Sequence, residues 1–308
     1  MIAKIDRDFV AADLATVEAL LARMTDKDAL ASMSLTSRRD ELKEELASLE
    51  ANHETKASAA LFFSGRPVVA NRGIESEFGT EAIGRFQDIV TKVFALHHTG
   101  ALGQRGAVPG KELSKLHITN VVHGSFGFRL EELESQNELI DSTLKGAVDE
   151  TTRLMDSFGE ADDKYFEAAI EDLDDRVLGT IRAFFNLVST SEAAFRLVSD
   201  HFDKSFDRQT VDRAAERARV TRLEETNQRF DGKLAGALPY ASQFEYITNS
   251  DRGVIHGKID AGLVGAEAGH LNRDWTDKES RITVRVRQVV RGDKVARETF
   301  TLLKIEPL

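Results

Sequence analysis

A chain of 308 residues that is 41% apolar has enough material for two modest domains, or for one larger domain with an attached module. Its net charge of −11 argues against a protein coated in phosphate-binding surface but leaves room for a local basic patch. With no cysteine, disulfides, thiolate zinc sites and cysteine nucleophiles are excluded.

No apolar run approaches the roughly 20 residues of a membrane span. The opening MIAKIDRDFVAADL carries acidic residues where a signal peptide is apolar, so a cytoplasmic location with no membrane partner is expected.

Leu14, Val17, Leu20, Leu21 and Met24 recur at helical spacing, and Leu42, Leu46, Leu49 and His53 do so again after a capping signal at Ser37-Arg38-Arg39-Asp40. Residues 1–56 are therefore expected to form an antiparallel helical hairpin. It either packs on its own body or serves as a self-association arm.

Residues 57–133 read as hairpin, helix, hairpin: a small antiparallel sheet under a covering helix. Ala57–Ala70 supplies the first hairpin, with Gly65-Arg66 as a two-residue loop that sets Phe63 against Val68. Thr80 starts a helix whose Ile83, Phe86, Ile89, Val90, Val93, Phe94 and His97 form an apolar stripe ending at Gly100. Leu116–Glu131 then alternates with period two. A three-residue turn at His123-Gly124-Ser125 would set His117 opposite Glu131, Thr119 opposite Arg129, Ile118 opposite Leu130 and Val122 opposite Phe126.

Residues 134–235 read as a helical middle without proline. Phe166, Ile170, Leu173, Val177, Ile181, Phe184, Phe185 and Val188 form its most apolar helix. Ala194–His201 and the charged run RQTVDRAAERARVTRLEETNQRF follow as further helices. Residues 236–308 read as a small antiparallel β-module, an SH3- or OB-like barrel or a curled sheet. The fold class is thus α+β.

Three groups of residues carry candidate chemistry. His117, His123, Arg129 and Glu131 line the polar face of the second hairpin, where imidazoles and carboxylates would serve a hydrolase or nuclease-like enzyme. The alternative is an ordinary polar sheet face. The Gly-rich loop with Gly103, Arg105 and Gly106 is a weak phosphate cradle, since it runs from helix to strand, the reverse of nucleotide-binding loops. Acidic Glu167, Glu171, Asp174 and Asp175 read as a solvated face.

The most interpretable surface is basic. Arg281, Arg285 and Arg287 share one side of a strand, and Arg291, Lys294 and Arg297 lie at or beyond its turn, so they could track an anionic partner or salt-bridge to the acidic body. No Phe or Tyr alternates with these arginines to stack bases. Nucleophile elbow, zinc-protease helix, kinase set and dinucleotide fingerprint are all lacking, and no cofactor or metal is expected. The leading reading is a non-catalytic binding or assembly protein. It would engage another protein, itself or nucleic acid through the C-terminal module and helical surfaces, with the enzyme as second reading.

Overall fold

In the computed structural model the described residues are 3–24, 29–51, 55–70, 72–100, 102, 105–122, 126–133, 140–171, 173–200, 202–238, 241–264 and 268–308. They divide into two units. The first comprises Met1–Ala169 with Arg176–Arg219, and the second Ile170–Asp175 with Val220–Leu308. The class is α+β, with an N-terminal helical hairpin, an antiparallel sheet and a C-terminal small sheet module.

The hairpin is α1 (Ala3–Arg23) and α2 (Ala29–Ala51), bridged by Lys43–Glu18 at 3.1 Å and Arg38–Asp13 at 3.6 Å. Both helices begin earlier than their apolar stripes indicate. Ser37-Arg38-Arg39-Asp40 lies inside α2, because Ala29, Leu30, Ala31, Met33 and Leu35 are strong helix formers that carry the helix upstream of the apparent cap.

β1 (Ser58–Gly65) is buried from Ser58 to Phe63 and pairs on one side with β5 (Phe126–Glu131) and on the other with β6 (Ala193–Ser199), so it is a central strand. The expected β1 hairpin is not formed. β2 (Val68–Val69) pairs with β3 (Gly73–Ile74) instead. The reason is visible in Ala59-Ala60-Leu61-Phe62-Phe63, a continuous apolar run of the kind that needs both faces covered.

α3 (Ser76–Thr99) buries Ile83, Phe86, Ile89, Val90, Val93 and Phe94 and ends at Gly100, whose left-handed φ of 79° lets its N–H reach Leu96 O at 2.8 Å. It starts a turn before Thr80.

A 3-10 turn (Lys111–Ser114) leads into β4 (His117–Val122), an edge strand, and β5 (Phe126–Glu131). His117 faces Glu131 and Ile118 faces Leu130 as the alternation requires. A bulge at Thr119 then shifts the register, so that Asn120, not Thr119, opposes Arg129, and Val122 opposes Gly127, not Phe126. The uninterrupted parity behind the three-residue turn therefore fails before the turn is reached; His123, Gly124 and Ser125 lie outside the described residues.

α4 (Thr143–Gly159) is capped by Ser142, which accepts from Lys145 N at 3.0 Å. α5 (Asp163–Ile170) and α6 (Asp175–Thr190) replace the single apolar helix expected from Phe166 to Val188. Acidic residues at 171–175 oppose the dipole at the end of α5 and favour it at the start of α6, so the chain breaks there.

The helical middle is also interrupted by β6 (Ala193–Ser199) and β7 (Asp203–Phe206), which complete a five-stranded sheet of order β4-β5-β1-β6-β7. One face of this sheet carries an aromatic core in which Phe195 stacks on Phe206 at 4.4 Å and meets Phe184 edge-on at 5.3 Å. On the other face Ala60, Phe62 and Val198 pack with Ile5 of α1.

α7 (Arg208–Val220) buries Val211, Ala214, Arg217 and Ala218 at helical spacing, and at Thr221 the chain switches to β8 (Thr221–Leu238). β9 (Gln243–Thr248), β10 (Val254–Ile259), the short α8 (Ala261–Val264), α9 (Ala268–Trp275), β11 (Glu279–Arg291) and β12 (Lys294–Pro307) follow.

The strands close into a barrel of order β10-β12-β11-β8-β9, antiparallel throughout except that β10 runs parallel to β12. The third strand beside the fifth, with a helix between third and fourth, is the arrangement of the OB type of Greek-key barrel. Its core holds Leu234, Phe244, Tyr246, Ile255, Ile282, Val284, Val286 and Leu302, with Leu271 of α9 joining them. Burial raises the Tyr246 phenol above its usual range, and its hydroxyl donates to Ser280 O at 2.6 Å.

The barrel therefore begins at Thr221, well before the expected boundary near 236, and recruits the second half of the segment read as a charged helix, whose first half is α7. Charge complementarity explains this: β8 brings Asp231 and Glu225 directly opposite Arg281 and Arg287 of β11.

Candidate functional site

The polar face of β4 and β5 does not assemble into a reactive centre among the described residues. Arg129 donates to Asp6 of α1 at 2.9 Å and lies 3.4 Å from Glu131, and both side chains are largely covered. Burial alone would raise the Glu131 pKa, but the Thr119 hydroxyl and the Arg129 charge outweigh it and hold the carboxyl below its usual range. Glu131 is thus a fixed carboxylate in an ion-pair cluster that α1 closes. His117 is exposed at the sheet edge, and His123 lies outside the described residues. No three described His, Asp or Glu residues are placed to hold a metal ion.

The Gly-rich loop is likewise tied to its own unit. Gly106 presents its carbonyl to Arg176 at 2.9 Å, Arg105 is exposed, and Gly103 lies outside the described residues.

The barrel wall is different. Alternation along β11 turns Ile282, Val284 and Val286 inward and Thr283, Arg285 and Arg287 outward. Cross-strand pairing then places Arg285 between Asn227 of β8 and Thr301 of β12, and Thr301 beside Lys258 of β10, which faces Gln243 of β9. A polar row thus crosses all five strands. The row above it runs Glu225, Arg287, Thr299, and on the neighbouring pair His256 faces Glu245.

These rows line a groove of about 390 Å³ that holds Arg285, Arg287, Arg297 and Lys258 against the carboxylates of Glu171, Glu225 and Glu298. A larger groove of about 840 Å³ adjoins it, sharing His256, Gly257 and Lys258. Gly257 is required where they meet, because a Cβ there would lie 2.2 Å from Phe300 O.

Within the groove the cations differ in how far they are satisfied. Arg287 is half-buried, its nearest carboxylate oxygen is on Glu225 at 3.9 Å, and its buried Nε finds no hydrogen-bond acceptor among the described residues. Arg285 is exposed and has no ion pair among the described residues. Arg297 meets Glu171 at 2.8 Å. Glu298, whose sequence position next to Arg297 threatens to neutralise it, is instead taken by Arg252 at 3.0 Å and by Gln288. Arg252 also stands over the rings of Phe230 and Phe300 at 5.5 and 5.7 Å, two aromatics that pack against the barrel core rather than beside Arg285 and Arg287.

Of the basic residues singled out in the sequence, the fold brings Arg285, Arg287 and Arg297 together and leaves three elsewhere. Arg281 forms a two-pronged pair with Asp231, at 2.6 and 2.9 Å, and its hydrogen bonds and charge hold the Asp231 carboxyl below the usual range. Arg291 and Lys294 pair at the β11–β12 turn, about 20 Å along the strand from Arg285.

Lys258 and His256 were missed. Their alternation with Ile255 and Ile259 marks them as outward-facing, but nothing local announces that β10 will lie parallel to β12. No protein-family model, curated protein or solved structure matches this chain.

Proposed function

We propose that this chain is a non-catalytic binding and assembly protein of the cytoplasm whose barrel wall holds the phosphate backbone of single-stranded nucleic acid. The observation that carries this reading is the convergence of Arg285, Arg287, Arg297 and Lys258 on one groove of a protein with net charge −11. The groove sets these cations against the carboxylates of Glu171, Glu225 and Glu298, and Arg287 Nε, like Arg129 Nε on the sheet, lacks a hydrogen-bond acceptor among the described residues.

An OB-type barrel suits such a track, because its strands lay a continuous polar wall along the groove. The exposed imidazole of His256 offers a flat surface beside the cations. Exposed Phe9, Leu20, Leu30 and Met33 give the helical hairpin an apolar surface for a protein partner or a second copy, which supports the assembly part of the reading.

The test is fluorescence anisotropy with labelled oligothymidylate and with a duplex of equal length. The proposal expects saturable binding that favours the single strand and weakens about ten-fold or more when Arg285→Glu is combined with Arg287→Gln. Equal affinity of the native protein and the double variant would overturn it.

A further inference from the structure

Resting on that reading, the geometry points to a built-in competitor: Glu171 occupies the anion site at Arg297, so a nucleic-acid strand entering the groove must displace the chain's own carboxylate. Glu171 sits in the break between α5 and α6, in the short segment Ile170–Asp175 that belongs to the barrel unit. Its Oε2 lies 2.8 Å from Arg297 Nη2, and the Glu171 side chain is 28% exposed.

Glu171 lines both grooves, which makes it the one carboxylate positioned where they join. The other two acidic groups of the basic groove have different employment. Glu298 is held by Arg252 and Gln288, and Glu225 belongs to β8, opposite Arg287 in the ladder. Glu171 alone reaches the groove from outside the barrel strands. Its withdrawal leaves every strand pairing intact while turning four cations against three carboxylates into four against two.

The chemistry of exchange is simple. A phosphate oxygen and a carboxylate oxygen both accept from a guanidinium, and a phosphodiester can replace Glu171 at Arg297 without any change in the strands. The cost is one partly exposed ion pair, a factor of about two to five in affinity. Affinity in the native protein is lowered by that amount, and the phosphate that reaches Arg297 contributes less to the salt dependence, because a protein carboxylate is released along with counterions.

The experiment compares the native protein, Glu171→Gln, Arg297→Gln and the double variant with labelled oligothymidylate across a salt series, with thermal midpoints as a folding control. Glu171→Gln should tighten binding about two- to five-fold at low salt. It should also steepen the plot of log affinity against log salt by up to about 0.7. Arg297→Gln should abolish that gain in the double variant, which ties the effect to this pair rather than to general charge.

Binding by Glu171→Gln alone, with none by the native protein, supports the same conclusion in stronger form. If the native protein binds and loses affinity with Arg285→Glu while Glu171→Gln matches it in affinity and slope, the competitor is disproved and the groove stands. If none of the proteins binds, groove and competitor fall together.

Discussion

Two clusters of charged side chains on two β-structures of this molecule meet opposite fates. On the sheet of the first unit Arg129, Glu131 and Asp6 close on one another beneath α1, and deeper in the same unit Lys145 meets Asp200 at 2.7 Å with both side chains at or below 10% exposure. On the barrel, Arg287 has Glu225 at 3.9 Å and Arg285 has no ion pair among the described residues. The first arrangement pairs its charges at short range and the second at longer range, while Arg129 Nε and Arg287 Nε both lack a hydrogen-bond acceptor among the described residues. Residue type does not distinguish the two, since both are arginines on strands with polar neighbours. The partner elements decide: a helix covers one face, and the other faces a groove.

The sharpest way to break this contrast is Lys145→Met, which removes the 2.7 Å cationic partner of the buried Asp200 carboxylate. It should cost about 3–5 kcal/mol in denaturant unfolding, and replacing Asp200 by Leu in the same chain should recover most of the loss. A smaller effect is expected at the sheet face. Asp6→Asn removes the 2.9 Å partner of Arg129 and should destabilise by about 1 kcal/mol, with hydrogen exchange rising in α1 before the strands.

Acid should act in the same region. Asp203 is held below its usual range by its hydrogen bonds to Arg196, and Glu160 by its hydrogen bond to Lys204. A depressed carboxyl contributes stability that is complete above the unfolded value, near 4, and is lost as pH falls through the lower folded value. The thermal midpoint should therefore hold down to about pH 4 and decline below it, less steeply in high salt. Smallest of all, Arg285→Glu should change stability by no more than about 0.5 kcal/mol, because the side chain is exposed and unpaired among the described residues. A large cost there would mean that the barrel arginines are structural like those of the sheet.

Much of the architecture is legible in local patterns, and what is missed has a common cause. The stripe from Ile83 to Phe94 and the alternation of Ile282, Val284 and Val286 each follow from one element burying one face. β8 is hidden because Glu224, Glu225 and the arginines before them favour a helix, and only pairing with β11, some fifty residues away, overrides that preference. β1 hides in the same way: its apolar run allows a hairpin, while its two neighbours come from β5 and β6.

For the site, parity along β11 places Arg285 and Arg287 on one face. The contributions of Lys258 and His256 depend on the parallel β10–β12 contact, which has no local signature, and that of Glu171 on where the acidic break after α5 comes to lie in the fold. The arginine count overstates the site as well, because Arg281 is consumed by Asp231, a partner recognisable only once β8 is known to be a strand.

The most direct measurement of the central claim is the salt dependence of oligothymidylate binding to the native protein and to Arg285→Glu with Arg287→Gln. The open-groove account predicts that affinity falls steeply with salt in the native protein and that the log–log slope shrinks by about 0.7 for each arginine removed. A slope that is flat, or that is the same in both proteins, would contradict it.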